Sequence, residues 1–390
     1  MARMSTQTRP TYDLCDPELY RSGGMHDAFT WMRANEPVYR DEVNGLWAVT
    51  RHADLLDVER RNEVFVSGRG YRRHWEPTEN NMIASDDPVH QEQRRLVSRG
   101  FTPKAVRRHE DLLDGLVEEL LAPIDGPVEI VQAVAAQLPA RTTARLLGFP
   151  EENWEQVKGW SERLMRLDSQ FEDPQIEMDV GLACMEFNMQ LLEMVPAGRE
   201  CAADALVSAS ANAYPPDKVF TWTGLFIAGG AETTRTAISH GLRVFADHPD
   251  QWDRLREEPE LVPSAIDEVI RWVTPLNNFF RTAVEDTSIG DQAVAADDRV
   301  ILLYPSANRD EDVFDEPFTF DITRRPNPHV SFGYGTHFCV GANFAKLSLG
   351  KLFGELTARY EPPKVISEPD VEPNIFARAV RSFEVDLTRR

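Results

Sequence analysis

Residues 305–338 carry no run of apolar side chains at helix or strand spacing, although well-patterned segments flank them. A structureless stretch of about 30 residues inside a compact body is usually functional rather than slack. It is rich in Asn, Asp, Arg and Pro. It ends in Phe332-Gly333-Tyr334-Gly335-Thr336-His337-Phe338-Cys339-Val340-Gly341, after which helical spacing returns over about 340–360. Two glycines let a backbone turn tightly beneath something flat, and a lone cysteine then stands at a helix amino terminus. Free amides and the helix dipole favour a thiolate there. A thiolate on a rigid loop is a metal ligand or a nucleophile; the plain alternative is a small buried hydrophobe.

The rest of the chain must support this loop. Val38-Tyr39-Arg40, Asn44-Gly45 and Leu46-Trp47-Ala48-Val49 read as a hairpin. From about 90 to 272 the apolar spacing is mostly helical. A β-rich stretch spans about 279–304, with Val300-Ile301-Leu302-Leu303 as a buried strand. A Pro-rich connector and a hairpin near 374–388 follow the last long helix, and residues 1–20 read as a loose surface segment. With no repeat and no linker, residues 1–390 read as one domain.

Composition removes whole classes of function. Lys and Arg number 42 and Asp and Glu 64, a net charge of −22, which repels phosphate backbones and excludes nucleic acid as a main partner. Four scattered cysteines, Cys15, Cys184, Cys201 and Cys339, form neither a disulfide framework nor a zinc site. The amino terminus lacks the apolar core of a signal peptide, and no stretch approaches 18 apolar residues. A cytoplasmic chain without a membrane anchor is expected.

Three further patterns carry chemistry. Glu268 and Arg271, at i, i+3, share a helical face and can pair; the plain reading is a surface ion pair worth less than about 1 kcal/mol. Ala228-Gly229-Gly230-Ala231-Glu232-Thr233-Thr234 lies in a helix beginning near Asp217. Its two glycines cost about 1 kcal/mol each against alanine, so a compensating kink that admits a small ligand is expected. The plain reading leaves Thr233 bonded back to a carbonyl and Glu232 solvated. His90 and Arg94 share a face four residues apart, after Asp87-Pro88.

Together these residues resemble the cytochrome P450 family of haem-thiolate monooxygenases. The six fixed positions of F-G-x-G-x-H-x-C-x-G should match by chance in roughly one chain per million of this composition. The resemblance implies a mainly α fold with small β-sheets, a triangular helical body around a buried haem b. It implies that Cys339 is the axial iron ligand, that Phe332 packs beside the sulfur and helps set the iron's potential, that Gly333 and Gly341 contact the cofactor, and that His337 reaches a propionate. His90, Arg94 and Arg281 would hold the propionates, and Gly229, Gly230, Glu232 and Thr233 the oxygen-binding groove and its proton relay. Glu268 and Arg271 would brace the haem loop. Thr319 stands where the third, arginine member of that network is expected, with Arg324 as a substitute.

Also implied are O2 and NAD(P)H electrons from a ferredoxin reductase and ferredoxin, a monomeric enzyme, and insertion of one oxygen atom into a C–H bond. Candidate pocket walls are Ile83, Ala228, Leu276, Phe279, Ile375 and Phe376, with the stretches 71–83 and 165–171. Their apolar character suits a bulky hydrophobic substrate: a sterol, a terpenoid or a polyketide-like molecule. Met82–Pro103 and Trp272–Arg281 are similar to actinobacterial sterol-side-chain and terpenoid hydroxylases. A peroxide-driven peroxygenase or a haem-based sensor or carrier are the alternatives, and the Glu232-Thr233 pair speaks against both. Finally, Arg94, Arg95, Arg99, Lys104, Arg107, Arg108 and His109 form a basic block unexpected in so acidic a chain. It suits the docking of an acidic ferredoxin.

Overall fold

The computed structural model describes residues 9–75, 77, 81–171, 173–194 and 216–390. Five strands form its largest sheet. The expected hairpin is β1 (Val38–Asp41) and β2 (Leu46–Val49), in antiparallel register Val38↔Val49, with Gly45 at φ 66° in the turn. The sheet also takes in β3 (Phe65–Val66), while β4 (Gly126–Glu129) belongs elsewhere. The β-rich stretch supplies β5 (Asn278–Ala283), a small hairpin of β6 (Thr287–Ile289) and β7 (Gln292–Val294), and β8 (Arg299–Leu303). Strand order is β1-β2-β8-β5-β3. β8 lies parallel to β2 and antiparallel to β5, and Val300, Ile301, Leu302 and Leu303 are fully buried, as a run of four apolar residues requires.

Six helices matter for the site: α1 (His52–Arg60), α2 (Val89–Ser98), α3 (Gln137–Leu147), α4 (Pro216–Asp247), α5 (Val262–Val273) and α6 (Ala342–Arg359). The main core gathers Ile238, Leu242 and Phe245 of α4, Ala265, Ile266, Val269 and Ile270 of α5, and Leu349, Leu352, Phe353 and Leu356 of α6. These recur at three- and four-residue intervals, so each helix contributes one apolar stripe. α4 passes close enough to α6 that a Cβ on Gly241 would lie 2.8 Å from the Phe353 ring.

Three expectations change. Residues 1–8 lie outside the described residues, but 9–20 are not a loose surface tail. Leu14 and Tyr20 are buried in a core with Met25, Phe29 and Tyr39, and the Leu14 amide donates to Asp41 Oδ2 at 3.0 Å. The helical stretch is interrupted by β4, whose Gly-Pro-Val-Glu sequence is too short to show a period. Residues 374–388 do not form a hairpin: β11 (Val380–Ser382) pairs with β10 (Asp370–Val371), whereas β12 (Glu384–Leu387) pairs with β4 and with β9 (Lys364–Val365). Only Phe383 separates the two strands, and it is fully buried.

Candidate functional site

A cavity runs between α4 and α6, and the cysteine loop forms one wall. Gly333 and Gly335 adopt φ of 69° and 64°, a region that side-chain-bearing residues rarely occupy. At Gly335 the constraint is double, because a Cβ would meet the Glu59 carbonyl at 2.6 Å. The end of α1 therefore presses the loop into place. The Cys339 amide donates to the Phe332 carbonyl at 2.8 Å and closes the turn. Cys339 opens onto the cavity just ahead of α6. Burial pushes its thiol pKa up, opposed by the amides of Gly341 and Ala342 and by the Arg94 charge. Those donors favour the thiolate, as expected at a helix start, while burial opposes it. Of the described cysteines, Cys15 is buried with its pKa pushed up to about 12 by that burial, and Cys184 is half-buried away from the cavity. Cys201 lies outside the described residues.

Phe332, Gly333, His337 and Gly341 all reach the cavity, as do His90, Arg94 and Arg281 from α2 and β5. The His90 and His337 rings are 4.3 Å apart. His90 Nδ1 faces Asp87 at 3.3 Å, leaving its buried Nε2 without a partner. Arg94 donates to the Phe338 carbonyl, and Arg281 to the Phe280 carbonyl at 2.8 Å. Four cationic or hydrogen-bonding side chains thus converge on one edge.

On the opposite wall α4 presents Leu225, Gly229 and Thr233 in one row and Phe226, Gly230, Thr234 and Ala237 in the next. α4 is one helix from Pro216 to Asp247, and the two glycines give room through their absent side chains. A Cβ on Gly229 would point into open space, and one on Gly230 would meet Thr143 Oγ1 of α3 at 2.8 Å. Thr233 donates to the Gly229 carbonyl at 2.7 Å, the bond that the plain reading describes. Glu232 is neither solvated nor on the cavity wall. It is buried and paired with Arg235 at 2.6 Å, and Arg235 pairs in turn with half-exposed Glu162. Burial pushes the Glu232 carboxyl up to about 7 against the pull of Arg235.

Among the pocket candidates, Ile83, Leu276 and Phe279 line the cavity; Ala228, Ile375 and Phe376 do not. Ala228 lies one residue, or about 100° of helix rotation, from the Gly229 row, in a core with Met82, Val97 and Leu147. Ile375 is held in the N-terminal core, and Phe376 backs Phe279 edge-on at 5.2 Å. Of the stretch 71–83, Met82 and Ile83 reach the wall, and none of 165–171 does.

The Glu268–Arg271 pair is no surface ion pair, since both side chains are fully buried. Arg271 donates to both Glu268 oxygens, at 2.8 and 2.7 Å, and to the carbonyls of Asn308, Pro317 and Thr319. Arg324 donates to Glu268 at 3.3 Å and to the carbonyls of Asp315, Glu316 and Thr319. It therefore fills the place left by Thr319, which contributes only its backbone. The Asp321 amide and the Asn327 side chain, each 3.0 Å from Glu268, complete the knot.

Sequence reading missed Glu59, the only carboxylate in the cavity wall among the described residues. It also missed Arg235, although the i, i+3 spacing to Glu232 was available as a signal. Among the described residues no group of three or more His, Cys, Asp or Glu could hold a metal ion.

A thiol on a glycine loop, a cationic edge and a pair of glycines on the helix opposite suit a haem-thiolate site. The chain belongs to the cytochrome P450 family, and it is a cytochrome P450 monooxygenase binding haem b through a cysteine ligand. The family model "Cytochrome P450" matches residues 199–378. A steroid C26-monooxygenase of Mycobacterium tuberculosis is 36% identical over 386 residues, covering 96% of each chain. One from Rhodococcus jostii is 33% identical over 403 residues, covering 96% of this chain and 84% of the other. The structure of a Mycobacterium marinum cytochrome P450 in complex with pseudoionone superposes with a TM-score of 0.88 at 32% identity, covering 98% of this chain and all of that one. Among the described residues no helix is long and apolar enough to cross a membrane.

The residues present fit the cofactor. The orphaned His90 Nε2, with Arg94, Arg281 and His337, suits the two carboxylates of a porphyrin edge, and the open face at Gly229 leaves room above the plane of a macrocycle.

Proposed function

We propose that this enzyme hydroxylates a sterol or terpenoid, as a single cytoplasmic unit fed by a ferredoxin and its reductase. The observation that carries this reading is the cavity wall, where Met82, Ile83, Leu225, Phe226, Leu276 and Phe279 present apolar side chains beside the Gly229–Thr233 face. The similarity to two steroid C26-monooxygenases supports it. When bound, the haem would supply activation of O2, one oxygen atom of which enters the C–H bond while the other leaves as water with two electrons and two protons. Cys339 ligates the iron, His90, Arg94, Arg281 and His337 hold the propionates, and Glu268, Arg271 and Arg324 keep the loop in register. The apolar wall excludes water and orients the substrate.

Thr233 and Glu232 manage protons. The Thr233 hydroxyl, turned onto Gly229 at rest, rotates to donate into the cavity. Glu232, with its carboxyl near 7, can both accept and release a proton, while Arg235 holds it in place beside half-exposed Glu162. A C27 sterol is expected to give a substrate-type difference spectrum and a side-chain hydroxylated product with a reconstituted ferredoxin system. Thr233→Ala should keep that spectrum while product per NAD(P)H consumed falls by about tenfold or more, since general acid–base groups contribute roughly 10²–10⁴-fold. Binding by fatty acids or macrolides but not by sterols or terpenes would overturn the substrate class, and unchanged coupling would overturn the role of Thr233.

The basic block supports the donor assignment. Arg95, Arg99, Lys104, Arg107 and Arg108 are exposed along and beyond α2, the helix whose His90 and Arg94 reach the cavity. An acidic ferredoxin steered there would sit close to the cofactor, with exposed charges screened beyond about 8 Å at physiological salt. Reversing Arg95 and Arg108 to Glu should slow first-electron transfer at low ionic strength and flatten its salt dependence, with substrate affinity unchanged. An unchanged rate would move the docking site to another face.

A further inference from the structure

Glu59, next to last in α1, stands in the cavity wall with its side chain 2% exposed. Its Oε1 accepts from the Tyr304 hydroxyl at 2.7 Å and lies 3.6 Å from Arg281 Nη2, while its Oε2 is buried without a partner. The groups facing it are Arg281 of β5, the Tyr304 hydroxyl after β8 and the Tyr334 amide of the cysteine loop. His90, Arg94 and His337 stand in the same wall. Arg60, beside it on α1, lies outside over the Tyr334 ring. A carboxyl with one satisfied oxygen, set against the arginine that faces the cofactor's carboxylate edge, competes with that edge for the same guanidinium.

We infer that Glu59 is a positioning residue for Arg281 and exchanges a proton as the charge on the haem changes, so that it sets the reduction potential of the bound cofactor. This rests on the haem reading above. In the step involved, one electron enters the iron from the donor and one proton enters from solvent. The Glu59 carboxylate becomes a carboxylic acid, and no other bond is made or broken. Burial supports the exchange by pushing this carboxyl up to about 7, against the opposing pull of Arg281 and Tyr304. The sign follows directly. At low pH Glu59 is neutral in both oxidation states and the potential is flat. As pH rises through its titration range a buried negative charge appears near the iron and the potential falls.

The test is a spectroelectrochemical titration of the haem-loaded protein between pH 5.5 and 8.5. Glu59→Gln should lose the downward slope and keep the acid-limb potential throughout, a positive shift relative to wild type above neutral pH. Tyr304→Phe, which removes a donor favouring the carboxylate, should move the sloping window to higher pH. The red-shifted band of the reduced carbonyl complex, recorded on each sample, separates the two ideas. Its absence in wild type would sink the haem-thiolate reading itself. An intact band with an unchanged slope in Glu59→Gln would leave Glu59 a packing residue and overturn this inference. Should Glu59→Gln fail to load haem, an unmoved window in Tyr304→Phe would overturn it equally.

Discussion

Cys339→His is expected to abolish the red-shifted Soret band of the reduced carbonyl complex, while Cys15→Ser, Cys184→Ser and Cys201→Ser retain it. The effect should be all or none, because that band reports a thiolate opposite carbon monoxide and imidazole cannot supply one. Cys339 alone among the described cysteines opens onto the cavity, on a loop that two left-handed glycines hold against α1. A red-shifted band surviving in the Cys339 variant would show that another sulfur ligates the iron.

Glu268→Ala should be nearly as severe, by a different route. Removing one member of a buried ion pair leaves the other charged and desolvated, at a cost of about 3–5 kcal/mol. Here the loss also releases Arg324, Asn327 and the Asp321 amide, which converge on the two Glu268 oxygens. Lower melting temperature and low haem content should appear together. Arg324→Ala should cost less, since Glu268 keeps Arg271 at 2.7 Å and most Arg324 bonds go to backbone carbonyls near the surface. A Glu268→Ala protein with wild-type melting and full haem occupancy would remove this network from the support of the loop.

What could be read in advance was whatever short-range pattern encodes. The Asn44-Gly45 turn announces β1 and β2, four consecutive apolar residues announce β8, and the glycine–cysteine spacing announces the loop and the start of α6. Contacts between distant segments leave no such mark. Glu59 and Tyr304 are 245 positions apart, and nothing around Glu59 distinguishes it from a helix-surface glutamate. β4 is invisible because four residues cannot display a period when their partner, β12, lies more than 250 residues on. The pocket list erred where it treated neighbours in sequence as neighbours in space. Ala228 and Gly229 are adjacent in the chain, but a helix sends them to different sides. The relief of Thr319 by Arg324 was legible as a possibility, and the carbonyl cluster around Arg324 is what makes it physical.

The two rows of α4 that face the cavity also bear on how such an enzyme can be diversified. Leu225 and Phe226 stand one helical turn, about 5.4 Å, from Gly229 and Gly230 on the same rigid rod. Residues that shape the chamber and the hydroxyl placed for proton delivery therefore lie on one helix, a turn or two apart. Ile83 and Leu276 reach the cavity from separate segments and share no backbone with that rod. Those two positions shape the chamber from outside the helix that carries Thr233.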